Sequence, residues 1–203
     1  RLKLNGSSKI DDLKYTYMQG TNRLQSVVDF NNDAGTVLGD FRTPLSHFQQ
    51  TAKSQLTPTS NATAFAAVTD YDYDINGNLS IDHNKAISSI SYNYLNLPET
   101  ITVTGKGIIK YVYDAVGNKL KKEVIDNTVT PALTTTTLYN GGSVYINDEL
   151  QFTAIEDGRI RFRKSDNTFQ YDYMLKDHLG NVRVVLTDEE DNTVYYPAAT
   201  LEG

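Results

Sequence analysis

Hydrophobic and polar residues alternate with period two along most of this chain, in short runs broken by Gly, Asn, Asp and Pro. Such alternation gives a strand two distinct faces, and the breaks mark turns. The segment Tyr111 to Val124 shows the plan. Tyr111 and Tyr113 alternate with their neighbours, Asp114-Ala-Val-Gly117-Asn118 reads as a turn, and Leu120, Lys122 and Val124 resume the alternation. Gly tolerates positive φ, and Asp and Asn side chains bond nearby backbone, so the segment predicts one β-hairpin. Tyr71 to Asp82 repeats it, with Tyr71 and Tyr73 on the strand and Gly77-Asn78 at the turn.

The doublet Tyr-x-Tyr occurs five times, at 15/17, 71/73, 92/94, 111/113 and 171/173. Tyr73, Tyr94 and Tyr113 are 21 and 19 residues apart, a period that fits two strands and two connections. The copy at Tyr92 carries Pro98 where the others have Gly, which predicts a break in strand pairing there. Tyrosines at matching places in successive hairpins predict cross-strand ladders, each pair contributing about 0.2–1 kcal/mol.

The reading is therefore all-β: repeated antiparallel hairpins forming a curved or spiralling sheet of about a dozen short strands. Residues 1–42 read as N-terminal hairpin units, ending at Val27-Val-Asp-Phe30 and the turn Asn31-Asn-Asp33. Residues 43–69 read as an irregular insertion or linker, with room for one short helix between Pro44 and Gln55. Residues 70–203 read as the repeat array, in one continuous sheet with 1–42. Within it, Tyr139-Asn-Gly-Gly-Ser-Val-Tyr145 signals a further hairpin, and Gln151 to Lys164 a strand pair around Glu156-Asp-Gly158. The start at Arg1-Leu-Lys-Leu falls in mid-pattern, so the chain reads as part of a longer polypeptide.

Composition narrows the partners. The 203 residues carry a net charge of -6, which argues against nucleic acid as the main partner. Mean hydropathy is -0.44, and no apolar run approaches the roughly 20 residues that span a bilayer. The absence of Cys excludes disulfides and thiolate chemistry. Fourteen Tyr and no Trp suit sheets wetted on one or both faces.

Few residues suggest chemistry. Asp177 and His178 with Arg183 resemble an acid–base set, but the reading preferred is structural: Asp and His bonding turn backbone, with Arg183 on a carboxylate. Asp72-x-Asp74-x-Asn76-Gly77-Asn78 matches half of a calcium loop, yet position twelve is His83 where Glu is needed. The histidines at 47, 83 and 178 lie in unrelated contexts and form no metal signature. Gly158-Arg-Ile-Arg-Phe-Arg-Lys164 reads as a strand with one basic and one buried face, and Asp188-Glu-Glu-Asp191 as a solvated turn. No cofactor is expected.

Residues 171–188, centred on Asp177-His178-Leu179-Gly180-Asn181-Val182-Arg183, closely resemble the core motif of RHS-repeat (YD-repeat) proteins. The upstream Tyr-Asp-x-x-Gly-Asn units, with Tyr111, Tyr113, Gly117 and Asn118 in one copy, resemble the YD repeats. The resemblance covers about residues 70–196, and more loosely 10–30, and implies a β-sheet spiralling into a shell. In bacterial members that shell encloses a C-terminal toxin; in animal relatives it belongs to adhesion receptors. It implies a secreted or cell-surface protein whose partners are other segments of the same polypeptide, or a surface or secretion-system protein. Tyr171, Tyr173, Asp177, His178, Gly180 and Arg183 would then be structural. Toxin-bearing members cleave themselves with aspartates around an Asp-Pro-x-Gly-Leu motif; nothing after Asp177 matches it, so that chemistry is absent from these residues or lies beyond Gly203, and a non-enzymatic role is expected for this segment. The alternative is an adhesin or a protein- or glycan-binding module.

Overall fold

The computed structural model describes residues 9–31 and 41–188. The expected turn at Asn31-Asn-Asp33 and the acidic stretch Asp188-Glu-Glu-Asp191 lie partly outside them. The strands from Tyr71 to Thr187 hydrogen-bond in chain order in one open twelve-stranded sheet. Every register described in it is antiparallel. The chain divides into two compact units, residues 1–109 with 126–131, and residues 110–125 with 132–203.

In the first unit, β1 (Leu13–Tyr17) pairs with β2 (Leu24–Asp29) in a two-stranded sheet of its own. The sequence suggested continuity with the array. The physical reason for the separation is β2 itself: Ser26, Val27 and Val28 are all buried in succession, so both faces of the strand are covered. Their cover comes from residues 41–69. That stretch holds two short helices where one was expected, α1 (Gln50–Ser54) and α2 (Ala62–Ala66). Asn61 caps α2 by accepting from the Ala64 N–H at 2.9 Å. Phe65 and Val68 are buried with Ile10, Val27 and Val28, and Phe65 meets Phe30 edge to face. All the fully buried apolar side chains among the described residues lie between Ile10 and Val68. The presumed insertion thus builds the core.

The rest of this unit is β3 (Tyr71–Tyr73), β4 (Leu79–Asp82), β5 (Ile87–Tyr92), β6 (Pro98–Val103) and the start of β7 (Gly107–Tyr113). A 3-10 turn over His83–Lys85 joins β4 to β5 and is capped by Asp82, which accepts from the Lys85 N–H. Pro98 does not break pairing. It is the first residue of β6, opposite Tyr92 beside a register shift, where no ladder donor is required of it.

The second unit contains the end of β7, β8 (Lys119–Asp126), β9 (Leu133–Asn140), β10 (Ser143–Ile146), β11 (Glu149–Ile155), β12 (Gly158–Arg163), β13 (Thr168–Lys176) and β14 (Val182–Thr187). Tight two-residue loops join its middle strands. Gly141-Gly142 and Asn147-Asp148 both adopt positive φ, as hairpins with the strand twist require. The expected hairpins at 139–145 and 151–164 are both present.

Candidate functional site

Three of the expected turn motifs fold identically. Asp74, Asp114 and Asp177 each donate a backbone N–H to the carbonyl of the Asn four residues on, Asn78, Asn118 and Asn181. Gly77, Gly117 and Gly180 take φ of 90°, 90° and 84° and return an N–H to the Asp carbonyl. The Asp carboxylate then accepts from the Asn backbone N–H and from the Asn side-chain amide. Each clamp holds both ends of a hairpin loop through one carboxylate. The amides of Asn118 and Asn181 are the largest influence holding the Asp114 and Asp177 carboxyls below the usual carboxylate range.

The fourth copy shifts the alignment read from tyrosine spacing. Asn93 takes the place of the Asp, bonding the N–H groups of Leu95 and Leu97. Asn96, at φ 57°, takes the place of the Gly, and the Asn93 N–H closes onto the Leu97 carbonyl. Pro98 therefore matches Leu79, and Tyr92, not Tyr94, matches Tyr73. The clamp residues 74, 93 and 114 are 19 and 21 apart. The turn is the repeated unit, and the tyrosine doublets are only loosely tied to it.

Tyrosine rings meet along the strand, Tyr111 with Tyr113 at 6.2 Å and Tyr171 stacked on Tyr173 at 6.4 Å. In the first unit the link between neighbours is phenol to backbone. The Tyr73 hydroxyl donates to the Leu24 carbonyl at 2.8 Å, and the Tyr92 hydroxyl to that of Leu79 at 2.6 Å. In both cases the residue before one turn bonds the residue after the preceding turn. Asn96 Oδ1 also accepts from the amides of Asn76 and Asn78, joining two successive loops.

The Asp177 cluster is spent on structure. Besides its turn bonds, Asp177 accepts from Arg183 Nε at 2.8 Å, and Arg183 Nη2 lies 2.6 Å away. His178 is exposed. The half calcium loop is likewise a hairpin turn, with Asp74 serving as its clamp. Among the described residues no group of His, Asp and Glu is arranged to hold a metal ion. The basic strand β12 departs from its expected form. Arg159 and Arg161 converge on Asp172, which is 2% exposed and accepts from Arg159 Nε, Arg161 Nε and Arg161 Nη2 at 2.7, 2.7 and 2.9 Å. In Tyr171-Asp172-Tyr173 the Asp is inside and the tyrosines are out.

A second cluster, in the first unit, was not foreseen. Asp70 is fully buried between β2, α1 and β3. Its carboxylate accepts from the Val27 N–H at 2.7 Å and from Lys53 Nζ at 2.8 and 2.9 Å. Lys53 Nζ also donates to Asn84 Oδ1 at 3.3 Å. His47 Nε2 lies 3.0 Å from Asp70 Oδ1 without the alignment of a hydrogen bond, while its Nδ1 accepts from the Gln49 N–H. Burial first, then the Lys53 charge, pushes the His47 pKa down, so the ring is neutral at pH 7. Burial likewise lowers Lys53, against the pull of Asp70. Beside it, burial pushes the Tyr71 phenol up to about 12. His47 and His83, which share no sequence context, come within 5.7 Å, with Phe48 packed against both rings. The contacts of this cluster that join different elements span 17 to 43 positions of sequence, a separation that no local pattern encodes.

Compared with protein-family models, with curated proteins and with solved structures, the chain gives no match.

Proposed function

We propose that this chain is a scaffold segment of RHS/YD-repeat type. It is a non-enzymatic stretch of a larger secreted or cell-surface bacterial protein, and its sheet curves as part of a shell that encloses or presents another polypeptide. The observation that carries this reading is the repeated clamp. Asp74 and Asp177, each part of a motif that suggested chemistry, close hairpin loops in the same way as Asp114 and hold strand register. A chain that uses its recurrent acids this way is building a surface.

The surface available is apolar. On β13 and β14, Phe169, Tyr171, Tyr173, Leu175, Val184 and Leu186 share one face and are 39–56% exposed. An isolated soluble sheet rarely leaves such a face uncovered, whereas one wrapped around a polypeptide would use it. The test is co-expression with the polypeptide that follows in its reading frame. The two should co-purify, with the second protected from protease. A partner that elutes separately and is digested freely would reject the reading. The adhesin alternative draws on the same face together with β14, the end strand of the sheet among the described residues, since an end strand can take an added strand from a partner. It predicts retention on a cell-surface protein or glycan and no association with the downstream polypeptide.

A further inference from the structure

The cluster around Lys53 has the parts of a self-crosslinking site: a buried amine, a buried carboxylate and a carboxamide, all touching at one nitrogen. We propose that Lys53 Nζ condenses with the side-chain amide of Asn84 to form an intramolecular isopeptide bond, with Asp70 carrying the proton. This does not rest on the scaffold reading, and it is a single self-modification with no external substrate.

The geometry places each group for its step. Lys53 is 3% exposed and its Nζ is surrounded by Asp70 Oδ1 and Oδ2 at 2.8 and 2.9 Å and Asn84 Oδ1 at 3.3 Å. The bond to Oδ1 sets the amine against the carboxamide whose carbon it would attack, and reaction needs that nitrogen and carbon to close to about 3–3.5 Å. The Asn84 amide is held in place from its other side, where Nδ2 donates to the Tyr71 hydroxyl at 3.4 Å. Asn84 itself sits in the capped 3-10 turn, a short rigid element. Attack requires a neutral amine. In a site shielded from water, an ammonium–carboxylate pair can relax by passing one proton from Nζ to Asp70, which gives two uncharged partners. The lowered Lys53 pKa, caused chiefly by burial, points the same way. His47, neutral and 3.0 Å from Asp70 Oδ1, packs the carboxylate on its remaining side.

The chemistry balances without an added reagent. The Nζ lone pair adds to Asn84 Cγ, forming the C–N bond and a tetrahedral intermediate. The Cγ–Nδ2 bond then breaks. The proton carried by Asp70 and one from the attacking nitrogen leave with Nδ2 as ammonium, and Asp70 is again a carboxylate. Lysine ammonium and asparagine amide have become a secondary amide and ammonium, with no oxidation or reduction. The new bond would tie α1 to the turn after β4, across 31 positions of sequence.

The experiment is intact mass spectrometry on the whole chain, purified folded and incubated at neutral pH, followed by peptide mapping. The proposal expects a mass below that of the sequence by one ammonia, and a branched peptide joining Lys53 to Asn84. Asn84→Ala and Lys53→Arg should both show the full mass. If either variant fails to fold, the branched peptide in the unaltered chain decides the matter alone. A folded chain at full mass would overturn the proposal. So would ammonia loss that maps to a cyclic imide at Asn76-Gly77 or Asn140-Gly141, or a loss of water that maps to a Lys53–Asp70 bond.

Discussion

Replacing Asp172 with Ala removes the acceptor for three charge-assisted hydrogen bonds, two from Arg161 and one from Arg159. Hydrogen bonds to charged groups contribute about 1.5–3 kcal/mol each, and breaking a buried ion pair costs about 3–5 kcal/mol. The two guanidiniums are not themselves buried. Their side chains are 37% and 32% exposed, so once released they recover much of their hydration. The cost should therefore fall below the fully buried figure, at about 2–4 kcal/mol. Urea unfolding followed by far-ultraviolet circular dichroism measures it, together with amide exchange on β12 and β13 to assign the loss to the second unit. The effect should also depend on acid. Burial works to raise the Asp172 pKa, and the hydrogen bonds and charges of Arg161 and Arg159 outweigh it, leaving it below the usual value. The folded pKa is then lower than the unfolded value of about 3.9, so the contribution is complete above about pH 4 and is lost as pH falls through the folded pKa. The Ala variant should lose less stability than the unaltered chain across that window. A cost under about 1 kcal/mol at pH 7, no more than an exposed salt bridge contributes, would refute the argument that burial of Asp172 makes this cluster strong.

Three further outcomes follow from the turns and the first unit. Gly180→Ala meets no atom within 4 Å, so its cost is purely that of φ 84° and should be about 1–2 kcal/mol in urea unfolding, whereas Asn167→Gly at φ 58° should cost almost nothing. Tyr92→Phe removes the bond to the Leu79 carbonyl and should cost about 0.5–1.5 kcal/mol, seen as a lower urea midpoint at unchanged slope. The folded pKa of His47 lies below its unfolded value of about 6.5, so stability is complete above that pH and falls as pH drops through the folded pKa. The thermal midpoint of the first unit should therefore decline between pH 7 and 5, and His47→Gln should flatten that decline.

The hairpins were legible because their signals are local. A Gly that needs positive φ, an Asp that reaches its own loop, and period-two alternation all lie within about 14 residues, and the strands at 71–82, 111–124 and 139–163 follow from them. The register between hairpins was harder. Counting from tyrosines paired Tyr94 with Tyr73, because an Asn at positive φ gives a weaker signal than Gly, and Pro98 looked like the turn residue. The buried centre was not legible. Lys53, in an Ala- and Thr-rich stretch, reads as solvated, and only its tertiary partners Asp70 and Asn84 show that it is not. The face of Asp172 was equally hidden. Alternation fixes that Asp and Tyr point opposite ways, but it does not say which side is covered.

The central claim is that the sheet is a scaffold whose apolar face receives another polypeptide. Chemical modification of tyrosines, read by mass spectrometry, tests it directly when the chain alone is compared with the larger protein the proposal calls for. Tyr171 and Tyr173, 39% and 46% exposed, should react in the chain alone and be protected in the larger protein, while Tyr94, 78% exposed on a turn, should react in both. Equal reactivity of Tyr171 and Tyr173 in the two proteins would contradict the account.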